Sequence, residues 1–130
     1  MPSPHVVRPW IYDGINDSST PYYRVITGQT VRTAQSLGTT VCKRGQSTGY
    51  GCGEITSRTY RPPISYGVAN PAATWVTVAR NGSSITSGGD SGGPWFVNSR
   101  AYGVHSGSAS TFSLYQAVDY MASINVRIMY

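Results

Sequence analysis

Charged side chains are scarce in this chain, at 12% of 130 residues against a usual share of about 25%. Disordered chains combine high charge with few aromatic residues, whereas 12% of this chain is aromatic, so its composition excludes disorder. Coiled coils and most helical bundles are excluded as well, because fifteen glycines and eight prolines interrupt the chain every few residues. No apolar run approaches the roughly 20 residues of a membrane span, so we expect no membrane partner.

Clusters of positive charge are also missing, although the net charge is +5. The basic residues are nearly all arginines, scattered from Arg8 to Arg127, and only Lys43 and Arg44 are adjacent. Because nothing in this distribution predicts a phosphate-binding surface, we expect no nucleic-acid partner. The first residues, Met1–His5, lack the basic and then apolar layout of a signal peptide.

Only two cysteines are present, Cys42 and Cys52, and no His or Cys pair completes a set of four zinc ligands with them. We therefore expect no metal and no cofactor. Gly45, Gly49 and Gly51 lie between the cysteines and suit a hairpin that brings them within bonding distance. We predict a disulfide, which would imply export to an oxidising compartment; two buried free thiols are the alternative.

What the chain does contain is a succession of short β-like runs separated by turns. Short strands at this spacing predict an antiparallel barrel or sandwich, and hence an all-β fold. The predicted strands are Arg24–Thr27, Leu37–Lys43, Gly51–Arg58, Thr74–Ala79, Gly93–Val97, Ala101–Ser106 and Phe112–Ala117.

One composition boundary divides the chain. Residues 1–23 lack a clear period and predict an irregular N-terminal segment, and residues 24–130 predict a single β-barrel domain. Only the tail has a helical period, since the apolar residues of Val118–Ile124 fall on one face. We therefore predict a short C-terminal helix, with a last strand over Asn125–Tyr130 as the alternative.

The segment Gly88–Trp95, Gly-Gly-Asp-Ser-Gly-Gly-Pro-Trp, has the residues that a serine nucleophile requires. Such a serine needs a sharp turn that projects its hydroxyl and backbone N–H groups where negative charge develops on the substrate oxygen. Glycines on both sides of the serine permit that turn. Considered without the rest of the chain, the same residues also suit an ordinary glycine-rich loop.

Four segments follow one another in an order and at a spacing that are typical of one protein family. They are the hairpin Val41–Gly53, the loop Gly89–Pro94, Gly103–Ser108 and Tyr115–Val118. Over roughly Tyr23–Tyr130 the chain resembles the C-terminal barrel of chymotrypsin-like serine proteases of the bacterial α-lytic protease and streptogrisin group, which includes glutamyl endopeptidases. The resemblance implies a single antiparallel trypsin-like β-barrel and a secreted protein, whose signal peptide and pro-region are absent from this chain.

The resemblance also implies roles for particular residues. Ser91 would be the nucleophile, and the N–H groups of Gly89 and Ser91 would form the oxyanion hole. Asp90 would hold the loop from inside, paired either with a backbone donor or with Lys43, which takes the place of the arginine that pairs with it in the bacterial members. The strand that pairs with the substrate backbone would comprise Ser106, Gly107 and Ser108.

The chain differs from this family in lacking the residues that serve as the general base. The barrel that carries the catalytic His and Asp has no counterpart here, and Ile85 or Ser87 replaces a cysteine of the disulfide that braces the nucleophile loop. Of the two histidines, His5 lies in the irregular segment. For His105 three roles stay open: a receptor for an acidic substrate side chain, a substitute general base, or a wall of the specificity pocket.

These observations predict a serine hydrolase that acts on ester or peptide bonds through an acyl-enzyme at Ser91. Because the barrel with the His and Asp is missing, we expect an esterase rather than a competent protease. The alternatives are a catalytically inactive half-protease or β-barrel binding module, and a protease fragment that needs a partner barrel. A lone barrel would expose the apolar face that normally meets its partner, so we also expect a homo-oligomer.

Overall fold

Short strands make up almost all of the regular structure. The computed structural model describes residues 10–12, 23–62 and 73–119. Its strands are β1 (Trp10–Tyr12), β2 (Tyr23–Val25), β3 (Gly28–Gln29), β4 (Thr40–Gly45), β5 (Gly49–Tyr60), β6 (Trp75–Ala79), β7 (Pro94–Val97), β8 (Arg100–Ser108) and β9 (Ser113–Ala117), with a 3₁₀ turn at Arg32–Ala34.

Six of these strands close into an antiparallel barrel. Their order is β8–β7–β4–β5–β6–β9, and β9 pairs back onto β8. β3 joins β8 in parallel, and β1 pairs with β2 in a separate two-stranded sheet. The single antiparallel barrel expected from the sequence is confirmed.

Each of the seven predicted β runs overlaps a strand, and the two further strands, β1 and β3, lie outside those runs. β1 falls within residues 1–23, where the sequence shows no period, and β3 has only two residues. The predicted C-terminal helix and the alternative last strand fall on residues 120–130, outside the described residues, except for Val118 and Asp119. Within the described ranges no helix has the length and hydropathy that a membrane span needs.

Alternate residues of the strands point into the barrel and build one hydrophobic core. In β4 the buried positions are Val41, Lys43 and Gly45, so a cation shares the inward face with apolar groups. Fully burying a large apolar side chain contributes roughly 1.5–3 kcal/mol, so this core supplies the main stabilisation. Its members are Val41, Ile55, Val76, Val78, Trp95, Tyr102, Tyr115 and Ala117.

The hairpin of β4 and β5 carries the two cysteines. Cys42 and Cys52 lie opposite each other in the antiparallel register, with their Cα atoms 4.0 Å apart, and their sulfurs are bonded. The predicted disulfide is therefore confirmed, and the described residues include no free cysteine. Turn residues 46–48 connect the two strands, and this hairpin turn faces the loop that carries Ser91.

A column of polar and aromatic side chains crosses the interior of the barrel. Gln35 is fully buried, and its Nε2 donates to two backbone carbonyls. The hydroxyl of Tyr115 donates to Gln35 Oε1 at 2.5 Å, and burial raises the pKa of this hydroxyl, which keeps it protonated. The ring of Tyr115 stacks on Trp95 with centroids 5.2 Å apart, so the column fixes the indole that lies beside His105.

Candidate active site

The nucleophile loop, residues 86–93, is anchored from inside by Asp90. This side chain is 2% exposed and accepts four hydrogen bonds. Its Oδ1 accepts from the N–H groups of Ser47 at 2.8 Å and Thr48 at 3.0 Å. Its Oδ2 accepts from the Thr48 hydroxyl at 2.6 Å and from the N–H of Ser87 at 2.9 Å. The carboxylate thereby joins the nucleophile loop to the hairpin turn.

These donors keep Asp90 ionised. Burial raises the pKa of Asp90, but the Thr48 hydroxyl and the backbone N–H groups of the turn and loop outweigh burial and lower it to about 2. The close approach also explains a glycine in β4, because a Cβ at Gly45 would overlap the Asp90 carboxylate. The loop is thus held by a buried anion over the whole neutral range.

Lys43 lies beneath the same turn and reaches Asp90 through Thr48. Its ammonium donates to the hydroxyl oxygen of Thr48 and to the carbonyl of Gly49, the latter at 2.8 Å. Burial lowers the pKa of Lys43, while the charge of Asp90 raises it and neighbouring arginines lower it. The sequence left Lys43 and backbone donors open as partners of Asp90. Backbone donors and Thr48 make the direct contacts, and Lys43 acts through Thr48.

Ser91 is exposed in the loop that Asp90 anchors. Gly89 has a φ of +97°, in the left-handed region that favours glycine. On the other side of Ser91, the N–H of Gly92 donates to the carbonyl of His105 at 3.0 Å. No described residue accepts a hydrogen bond from the N–H of Gly89, the N–H of Ser91 or the Ser91 hydroxyl. The N–H groups of Gly89 and Ser91 are therefore two donors without an acceptor in the described part of the chain.

His105 lies on β8 beside this loop, with 4% of the residue exposed. The indole Nε1 of Trp95 donates to His105 Nδ1 at 3.2 Å, so the neutral ring carries its proton on Nε2. Nε2 itself is buried and meets no partner in the described part of the chain. Burial lowers the pKa of His105 to about 4, with the charge of Asp90 opposing this shift and that of Lys43 adding to it. His105 is therefore neutral at pH 7.

This geometry bears on the three roles left open for His105. A general base needs a lone pair that faces the serine, whereas Nδ1 is occupied by Trp95 and Nε2 carries the proton. A receptor for an acidic side chain would have one N–H to offer, because a neutral ring lacks the second donor of an imidazolium. The contacts with Trp95 and Tyr115 suit a rigid wall.

The three residues expected to pair with a substrate backbone lie at the end of β8, next to the nucleophile loop. Ser106 is exposed, and Gly107 and Ser108 are half-buried. This stretch pairs with β9 on one side, with a bulge between His105 and Gly107. The hydroxyl of Ser108 bonds Thr86 Oγ1 at 2.7 Å, so it is tied to the first residue of the loop.

The sequence did not single out Ser47, Thr48 or Thr86, which hold this site together. Thr48 and Asp90 are 42 residues apart, and their contact depends on how β4 and β7 pair across the barrel. The one signal was a hydroxyl residue in a hairpin turn, which is too common to indicate a partner. His5 lies outside the described residues. Within these residues no three His, Cys, Asp or Glu side chains come together as metal ligands.

We expect His105 to lower the free energy of unfolding by about 2 kcal/mol between pH 7 and pH 5. The pKa of His105 is about 4 in the folded protein and 6.5 in an unfolded chain. The unfolded state therefore binds more protons between pH 7 and pH 5, and the free energy of unfolding decreases as the pH is lowered. Urea unfolding at both pH values measures the difference. In His105→Gln, which cannot titrate, this part of the decrease should disappear. An equal decrease in both proteins would assign it to another group.

The closed antiparallel barrel, the glycine-rich loop anchored by the buried Asp90 and the exposed Ser91 next to it resemble the barrel of a chymotrypsin-like serine protease. No protein-family model matches the chain. In sequence it is 36% identical over 81 residues to Streptogrisin-C from Streptomyces griseus, which covers 62% of this chain and 16% of that protein. The resemblance to the bacterial chymotrypsin-like proteases is thereby confirmed.

Solved structures of proteases are also similar to this chain. Thermobifida fusca Protease A superposes with a TM-score of 0.69 at 25% identity, over 92% of this chain and 59% of that chain. A glutamic acid specific serine protease that utilizes a novel histidine triad in substrate binding superposes with a TM-score of 0.59 at 26% identity, over 83% of this chain and 55% of that chain. The chain thus spans less than two thirds of the length of each of these relatives.

Proposed function

We propose that this barrel is a serine hydrolase that cleaves ester or peptide bonds through an acyl-enzyme at Ser91. The observation that carries the proposal is the combination of an exposed Ser91, an Asp90 with four donors, and two N–H groups without acceptors among the described residues. A loop with these properties holds its donors in place before the substrate arrives. Such preorganisation is the largest catalytic contribution in many hydrolases.

In the proposed reaction, Ser91 Oγ adds to the substrate carbonyl carbon and its proton passes to a base. The carbonyl oxygen becomes an oxyanion that accepts hydrogen bonds from the N–H groups of Gly89 and Ser91. Collapse of this intermediate expels the alcohol or amine and leaves an ester on Ser91. Water then adds to this ester and releases the acid and the free serine. No cofactor takes part in these steps.

The range of substrates depends on which group accepts the proton of Ser91. Within the described residues, no His or carboxylate accepts a hydrogen bond from Ser91, and His105 is occupied by Trp95. Enzymes of this mechanism that lose a triad member keep roughly 10³- to 10⁴-fold catalysis from the oxyanion hole and substrate binding. We therefore propose that the barrel alone cleaves activated esters, whose leaving group departs unprotonated, and that peptides need a base from outside the described residues.

The proposed substrate runs along Ser106, Gly107 and Ser108, and the side chain before the scissile bond is directed towards His105, whose buried Nε2 must be uncovered on binding. One of the solved relatives is glutamic acid specific. In the present chain the neutral His105 has a single N–H on Nε2, which suits an acceptor such as a carbonyl oxygen or a carboxylate. The hairpin disulfide supports the related proposal that the protein works in an oxidising, extracellular compartment.

A fluorophosphonate probe tests the proposed nucleophile, because Ser91 Oγ would displace its fluoride and retain the phosphonyl group. We expect one adduct per chain, located at Ser91 by peptide mapping, and none in Ser91→Ala. Ser110→Ala is the matched control, since Ser110 is also exposed and lies in the loop between β8 and β9. It should be labelled like the unmodified chain.

The alternatives give different results in the same experiment. A binding module that has kept the loop as a scaffold would form no adduct at Ser91. A fragment that needs a partner barrel would be labelled only after a barrel carrying a His and an Asp is added. An adduct that persists in Ser91→Ala would contradict the assignment of the nucleophile.

A further inference from the structure

Four hydroxyl groups meet where the nucleophile loop begins, near the end of β8 and the start of β9. They belong to Ser84, Thr86, Ser108 and Ser113. Ser113 is fully buried and Thr86 is 8% exposed, so the centre of this hydroxyl cluster is shielded from water. Buried hydroxyls without partners are unfavourable, so the hydrogen bonds of this cluster fix its geometry.

The distances allow one consistent assignment of protons. Thr86 Oγ1 donates to Ser113 Oγ at 2.7 Å, so Ser108 Oγ must donate to Thr86 Oγ1, also at 2.7 Å. Ser84 Oγ donates to the carbonyl of Thr86 at 3.0 Å, so the 3.0 Å contact between Ser113 and Ser84 is a donation from Ser113. Each of the four hydroxyls then donates one hydrogen bond.

Thr86 joins β8 to the beginning of the nucleophile loop, whereas Gly92 and Gly93 bond to His105 on β8 at the end of the loop. The hydrogen bond between Ser84 and Ser113 joins the residues just before the loop to β9. The hydroxyl of Thr86 bonds that of Ser108 on β8. The next residue, Ser87, donates its N–H to Asp90 at 2.9 Å. Ser108 is therefore linked to the carboxylate that anchors the loop through two consecutive residues, Thr86 and Ser87.

We propose that Thr86 is a positioning residue, which holds the substrate-pairing end of β8 in register with Ser91. The proposal rests on the proposed function, because it concerns substrates that pair along Ser106–Ser108. Such a substrate places its carbonyl correctly only if strand and loop keep a fixed separation, and a displacement of about 1 Å can reduce rates by 10²-fold. A small ester that makes no contact with β8 does not depend on this separation.

Two substrates with the same leaving group test this role: a peptidyl p-nitrophenyl ester and p-nitrophenyl acetate. In Thr86→Val, which keeps the branched shape but loses the hydroxyl, we expect kcat/KM for the peptidyl ester to fall roughly 10-fold or more, mainly through kcat, because the bound carbonyl is misplaced relative to Ser91. Hydrolysis of the acetate should change by less than about twofold, since it makes no contact with β8. Thr86→Ser restores a hydroxyl and should recover most of the loss.

Thr77→Val is the matched control, because Thr77 is also buried and its hydroxyl lies 2.8 Å from that of Thr56 on the neighbouring strand. It removes a buried hydroxyl from the barrel without touching the hydroxyl cluster. The ratio of the two activities should stay that of the unmodified chain. Equal losses on both substrates in Thr86→Val, or no rescue by Thr86→Ser, would overturn the positioning role.

Amide hydrogen exchange separates this inference from the proposed function. Thr86→Val should raise exchange at Ser106–Ser108 and leave residues 87–92 unchanged, because Asp90 still anchors them, and Thr77→Val should change neither segment. If the unmodified chain hydrolyses neither ester, the proposed function fails, and the exchange result alone decides whether Thr86 couples the strand to the loop. Unchanged exchange at Ser106–Ser108 in Thr86→Val would overturn the inference even in an active enzyme.

Discussion

Replacing Gly89 by alanine is expected to slow the acylation of Ser91 by about 10²- to 10³-fold, which is the usual effect of losing one oxyanion-hole donor. Gly89 has a φ of +97°, and a Cβ at this position would overlap Ser47 Oγ. Relief of this strain turns the peptide unit and with it the N–H that the oxyanion needs. The second-order rate constant for labelling by the fluorophosphonate measures the effect.

Gly88→Ala is the matched control in the same loop. A Cβ at Gly88 meets nothing within 4 Å, and Gly88 is not among the positive-φ residues. Its labelling rate should lie within about twofold of the unmodified chain, because the substitution leaves both N–H donors in place. Similar rates in Gly89→Ala and Gly88→Ala would show that the Gly89 N–H does not stabilise the reaction.

Replacing Asp90 by alanine is expected to lower the free energy of unfolding by roughly 3 kcal/mol. The substitution removes the acceptor for three backbone N–H groups and the Thr48 hydroxyl, and it leaves the buried Lys43 without a counter-charge. For a chain of this length the melting temperature should fall by roughly 10 °C. Urea unfolding measures the free energy, and thermal unfolding measures the melting temperature. The same substitution should also abolish labelling of Ser91 by the fluorophosphonate.

Asp119→Ala serves as the comparison for this prediction. The Asp119 carboxylate is half-buried and accepts a backbone N–H from Arg32 at 2.9 Å. Its loss should lower the free energy of unfolding by about 1 kcal/mol, as for one ordinary hydrogen bond. If the two variants were equally stable, Asp90 would not be the anchor of the loop. Lost labelling with unchanged stability would instead indicate that Asp90 contacts the substrate.

The barrel could be predicted from the sequence because its signals are local. Alternating apolar residues and glycine-rich turns mark all six barrel strands. The glycines between Cys42 and Cys52 mark the hairpin in which these two cysteines form their disulfide. β3 could not be predicted, because a strand of two residues is too short to show an alternating pattern. Gly88–Trp95 is also continuous in sequence, which is why a loop suited to a serine nucleophile could be predicted there.

The contacts that hold the site could not be predicted, because they depend on barrel closure. Thr48 reaches Asp90 only after β4 has paired with β7, and Thr86 reaches Ser108 only after the loop has folded onto β8. The charge state of His105 also depends on a neighbouring strand, which supplies the indole of Trp95. The sequence therefore left three roles for His105 open, and burial is what makes the ring neutral.

In the proposed reaction, Ser91 attacks a substrate whose oxyanion is held by the N–H groups of Gly89 and Ser91. A crystal structure of the protein after reaction with the fluorophosphonate tests it most directly. We expect phosphorus bonded to Ser91 Oγ and a phosphonyl oxygen about 2.7–3.1 Å from the backbone nitrogens of Gly89 and Ser91. A phosphonyl oxygen turned to solvent, or phosphorus bonded to another residue, would contradict it.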